Sequence, residues 1–120
     1  MITVTSDPSR KLVRAHMSGM LTVDEVKAFG RDEQAAVRGM ALASGEFVLL
    51  VETEGNLIQT QDVIATFAEL MVTTPLKARR IATVRDGVLT RMQSRRVAKL
   101  REGSSMVFET VAEAEAWLFQ

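Results

Sequence analysis

The sequence predicts an α/β fold on a mixed, mostly parallel sheet, with elements in the order β-β-α-β-α-β-α-β-α. Three observations carry this reading. Phe47-Val48-Leu49-Leu50-Val51 is apolar at every position, the pattern of a strand covered on both faces. From about Thr60, the side chains Val63, Ile64, Phe67, Leu70 and Met71 recur at helical spacing and so share one side of a helix. After an amino-terminal hairpin, strand-like and helix-like stretches alternate strictly, which requires parallel pairing through right-handed crossovers.

Each element has a local cause. Residues 1–6 alternate Ile2 and Val4 with threonines, a short strand. Asp7-Pro8-Ser9-Arg10 is turn chemistry, and Lys11 to Ser18 is the return strand. Its residues Val13, Ala15 and Met17 face one way, and Leu12, Arg14 and His16 the other. Thr22-Val23-Asp24-Glu25 is a capping box for a helix reaching Arg38 or Met40, with Val26, Phe29, Gly30, Val37 and Met40 on its apolar side. Ala43-Ser44-Gly45 leads into the central strand. Thr74-Pro75 stops the next helix, and Ile81 to Val84 is a strand. Asp86 is placed to cap a third helix over about Gly87 to Leu100. Val88, Leu89, Met92 and Leu100 are expected on one side of it, and Arg91, Arg95 and Lys99 on the other. Gly103 is its left-handed stop. Ser105 to Phe108 is the last strand. Thr110 to Glu113 is a second capping box, opening a helix that buries Val111, Ala114, Trp117 and Leu118.

At 120 residues the chain is one domain, residues 1–120, with room for a real core. Cysteine is absent, so disulfides, thiolate metal sites and a cysteine nucleophile are excluded. No signal peptide and no apolar stretch of about 20 residues is present, and the expectation is a cytoplasmic protein. The net charge is zero, but nine basic residues and one acid, Asp86, fall between Lys77 and Arg101. Such a segment can attract nucleic acid, anionic lipid or an acidic protein patch, but the first expectation is a solvated helix face that pairs with acidic neighbours. Aromatic residues, 5% of the chain, do not interleave with it, so a stacking platform for single-stranded nucleic acid is not expected.

Catalytic chemistry is thin. His16 is the only histidine, on a strand with no Asp nearby in sequence. There is no nucleophile elbow, phosphate loop or dinucleotide fingerprint. No enzyme activity, cofactor or metal site is expected. Glu33 falls within the apolar side of its helix. At the edge of that stripe its carboxylate is expected to reach solvent; the alternative is an inward carboxylate, which needs a cation, and Arg96, set among the apolar positions of the third helix, is then the candidate partner.

The segments HMSGMLTVDEV, FVLLVE, ARRIATVRDG and VFETVAEAEAWL, in this order, resemble the STAS / SpoIIAA-like superfamily over nearly the whole chain. The resemblance is to its branch of small bacterial proteins; the founding members antagonise anti-sigma factors. It implies a non-catalytic regulatory or protein-interaction domain that forms a homodimer. The fold is shared with CRAL-TRIO lipid-carrying domains, which implies an alternative: a carrier of a small apolar ligand, with Met17, Phe67, Met71 and Met92 as the pocket. A further alternative is binding of nucleic acid or anionic membrane through Arg91, Arg95 and Lys99. In the anti-sigma-factor antagonists a phosphorylatable serine opens the helix after the central strand. That motif falls here on Gln59-Thr60-Gln61-Asp62, and only the hydroxyl of Thr60 survives. Thr60 is otherwise explained as a helix cap.

Overall fold

The computed structural model describes residues 1–55, 57–85 and 88–120, and of residues 88–90 the backbone alone. The expected cap at Asp86 and the expected inward side chains Val88 and Leu89 lie outside the described residues. The elements are β1 (Ile2–Asp7), β2 (Leu12–Ser18), α1 (Val23–Gly39), β3 (Val48–Glu54), α2 (Gln61–Thr73), β4 (Arg80–Val84), α3 (Val88–Ala98), a 3-10 turn (Lys99–Arg101), β5 (Ser105–Phe108) and α4 (Val111–Leu118).

The five strands lie in chain order, β1-β2-β3-β4-β5. β1 pairs antiparallel with β2, and every later pair is parallel. β3 is therefore the central strand, as its unbroken apolar run requires. Its register sets Leu49 beside Val13 and Ile81, and Leu50 beside Arg14 and Ala82. Side chains alternate across the sheet, so odd positions of β3 and β4 face one layer and even positions the other.

On one face Val13, Ala15, Met17, Leu49, Val51 and Ile81 meet α1 and α2 through Val26, Phe29, Val37 and Val63. On the other face Leu12, Val48, Leu50 and Ala82 are closed by Ala114 and Leu118 of α4. Both layers are anchored by caps. Thr22 and Glu25 form the full capping box of α1. The Thr110 hydroxyl oxygen accepts from the Glu113 amide at 3.2 Å, and the same hydroxyl donates to the Glu113 carboxylate at 2.9 Å. Gly103 adopts φ +86° after the 3-10 turn, a conformation that a Cβ would strain.

Arg79 and Arg80 fix α4 from below. Their guanidiniums donate to the carbonyl oxygens of Leu118 and Trp117 at 2.9 and 2.5 Å. These cations meet the negative end of the α4 dipole. Arg80 also stacks over the Trp117 ring at 4.9 Å.

Candidate functional site

The layer of α1, α2 and α3 does not close onto the sheet as α4 does. A cavity of about 110 Å³ lies between them. Met17, Leu49, Val51, Ile81 and Thr83 form its sheet wall, Phe29 and Gly30 come from α1, Ile64, Phe67, Leu70 and Met71 from α2, and Ser94, Val97 and Ala98 from α3. Phe29 and Phe67 meet edge to face, ring centres 6.2 Å apart. Gly30 lets α2 come close: a Cβ there would stand 2.9 Å from a Leu70 methyl. Across the gap, α3 offers only short side chains at Ser94 and Ala98. A close approach on one side and small residues on the other leave the space unfilled.

Four charged side chains line the same space: Glu33, Lys77, Arg85 and Arg101. Glu33 is buried. Its carboxylate accepts from the Gln34 amide nitrogen at 2.6 Å, and Gln34 clasps the backbone of Leu76 through both amide atoms. Burial pushes the Glu33 carboxyl above its ordinary range, against the opposing pull of the Gln34 hydrogen bond and the Arg101 charge. Arg101 donates to the Ala78 carbonyl at 2.6 Å. Burial pulls its guanidinium down, and the Glu33 charge opposes that. Lys77 donates to the Met71, Val72 and Thr74 carbonyls at 3.0–3.2 Å, closing the carboxyl end of α2. Arg85 is only 7% exposed, and its Nε has no acceptor among the described residues. Burial alone accounts for the lowering of its pKa. Ser105 is buried to the same extent, and its hydroxyl also lacks a partner.

Met17, Phe67 and Met71 line the cavity, but Met92 does not; it is 47% exposed. The inward side of α3 and the turn after it is Ser94, Val97, Ala98 and Arg101, at spacings of three and four. Met92 precedes Ser94 by two residues, which is roughly 200° around a helix, so it points away. Leu100, expected on the apolar side, is exposed too, in the 3-10 turn that follows α3. The expected pair of Glu33 with Arg96 is also corrected. Arg96 is exposed, and the cation whose charge reaches Glu33 is Arg101.

The expected cationic face separates as well. Arg95 and Lys99 are exposed, but the Arg91 side chain is 17% exposed and lies 3.4 Å from Glu109. Thr60 is exposed and precedes α2, but its side chain does not cap the helix. Its hydroxyl binds Asp62, whose carboxylate accepts from the Val63 amide at 2.9 Å. The Thr60 hydroxyl, and then that amide, hold the Asp62 carboxyl below its ordinary range. Asp62 has the shorter reach to the helix amides and takes the role expected of Thr60.

Gln59 is a structural residue that the sequence reading passed over. Its side chain accepts from Leu21 N–H and donates to the Gly19 carbonyl, and its backbone exchanges two hydrogen bonds with the Gln93 side chain. It ties the loop before α1, the start of α2 and the middle of α3 together. On the outer face of the hairpin, Arg14 reaches Glu52 at 3.3 Å and Glu115 at 2.8 Å, and His16 lies 3.3 Å from Glu54.

No family model and no curated protein matches the chain. A solved structure does: an uncharacterised protein of the DUF3478 family with a SpoIIAA-like fold, from Shewanella loihica PV-4. The two superpose with a TM-score of 0.66 at 18% identity, over 98% of this chain and 93% of that one. The fold is SpoIIAA-like. This SpoIIAA-like domain holds no group of three or more His, Asp or Glu side chains placed for a metal among the described residues. Among those residues, no helix is long and apolar enough to cross a membrane.

Proposed function

We propose that this SpoIIAA-like domain is a non-catalytic receptor for a small, mainly apolar molecule held between α1–α3 and the sheet. The unfilled cavity is the observation that supports the reading. Protein cores pack like organic crystals. A concave space of about 110 Å³ lined mainly by apolar side chains, with a few polar groups converging on it, is the form that small-molecule sites take. It has about three-quarters of the volume of an engineered cavity of about 150 Å³ that takes benzene, so a ring or a short branched chain fits where the flexible Met17 and Met71 side chains yield. A full lipid acyl chain is too long for it.

Toluene is a suitable neutral probe. Titration should shift the methyl resonances of Met17, Met71 and Ile64 saturably, and Ala98→Leu should abolish the shifts by filling the space. Unchanged spectra at toluene saturation would reject the reading.

A second reading is favoured by the uncovered side of the hairpin. α4 packs on β3, β4 and β5 and reaches β2 only at Leu12 and Arg14, so among the described residues most of the outer face of the hairpin has no helix over it, and β1 is an edge strand. An unpaired edge can add a strand from another chain. Its ion-paired surface suits an exchanging protein partner or a second copy of the chain. Light scattering that found a monomer at high concentration would remove the homodimer from this reading.

A further inference from the structure

Resting on the cavity as a ligand site, we propose that Arg85 anchors an acidic group on the occupant, and that the ligand is a small monocarboxylate with a ring or short branched body. Ile81 and Thr83 of β4 face the cavity, and Arg85 continues that row two residues on. Its backbone N–H donates to the Phe108 carbonyl at 3.0 Å, so β5 fixes where the side chain starts. The residue is 7% exposed and lines the cavity. A guanidinium in such a place needs an anion or a set of acceptors. Among the described residues no carboxylate pairs with it, and its Nε has no acceptor.

The other cations of the lining are engaged. Lys77 holds three carbonyls, and Arg101 holds the Ala78 carbonyl beside Glu33. Among the described residues Glu33 is the only acidic side chain in the lining, and burial raises its pKa. Three cations there therefore stand against one carboxyl. Glu33 also belongs to the opposite end of the site, with Leu76 and Arg101. Four residues of strand from Ile81 to Arg85 span about 13 Å at about 3.3 Å each. The planar fork of an arginine matches a carboxylate with two parallel hydrogen bonds. With its acid group at Arg85, a ligand's apolar body lies against Ile64 and Phe67, on the amino-terminal half of α2 that returns along the sheet from that end.

Calorimetric titration of the full chain at neutral pH with benzoate, benzamide and toluene tests this. Benzoate should bind at least about tenfold tighter than benzamide, the scale of a charge-assisted hydrogen-bond pair. Arg85→Met should bring that ratio close to one while toluene still binds, and Arg85→Lys should fall between. If Arg85→Met does not fold, the wild-type ratio decides alone. Equal affinity for benzoate and benzamide, with toluene bound, overturns the role of Arg85 and leaves the cavity reading standing. Failure of all three probes to bind overturns the cavity reading and this proposal with it.

Discussion

The two faces of the sheet are built to different standards. Under α4, Leu12, Val48, Leu50, Ala82, Ala114 and Leu118 are all at most 2% exposed, and every one is apolar. Under α1–α3 the core is larger, but it encloses unfilled space, a buried carboxyl and a buried guanidinium. One sheet thus carries a sealed side that stabilises and a looser side that can receive a guest. The two sides are separated by the alternation of side chains along β3 and β4, where even residues face the sealed layer and odd residues the proposed binding layer.

The largest expected effect breaks the sealed side. Leu50→Ala should lose about 3–5 kcal/mol in urea unfolding, because a fully enclosed site cannot collapse. Met71→Ala, half-buried at the cavity edge, should lose about 1–2 kcal/mol. Equal losses would erase the contrast.

The next test applies one substitution to both faces. Ala114→Leu should cost about 1–3 kcal/mol through overpacking. Ala98→Leu should be neutral or stabilising, because the new methyls enter open space.

A smaller effect comes from Glu33. Burial raises its pKa in the folded state above the ordinary 4.5. The folded protein therefore holds a proton that the unfolded chain releases. This contribution is fully present below pH 4.5 and is lost as pH rises through the raised value. Glu33→Gln should match wild type in stability at low pH and exceed it at neutral pH, with unfolding midpoints measured across that range. A variant less stable than wild type at neutral pH would contradict burial as the cause.

The smallest effect is expected at Gly30→Ala. Helix propensity gains roughly 0.5–1 kcal/mol. The new Cβ presses on the Leu70 side-chain tip, which has the cavity to yield into. A net change within about 1 kcal/mol is expected by thermal unfolding.

Most of the fold was legible because its signals are local. The run from Phe47, the capping box at Thr22 and the Gly103 stop each act within a few residues, and the structure shows all three. The orientation of α3 was not legible. Its apolar residues Met92 and Leu100 are exposed, while its inward side is Ser94, Val97, Ala98 and Arg101. The inward side of α3 mixes Val97 and Ala98 with Ser94 and Arg101, so it has no apolar stripe to read. The effect of the Arg101 charge on Glu33 was missed for the same reason. The cavity itself is a missing volume, set by how three helices meet, and no single segment encodes it. The inward course of Arg85 did have a signal. It follows from the alternation Ile81, Thr83, Arg85, once β4 is continued by one residue beyond Val84.

A crystal structure determined under xenon pressure tests the central claim most directly, since xenon enters apolar cavities that are otherwise dry. The account predicts a xenon site enclosed by Met17, Phe67 and Met71, and none beneath α4. Side chains filling that space, with no xenon between α1–α3 and the sheet, would contradict it.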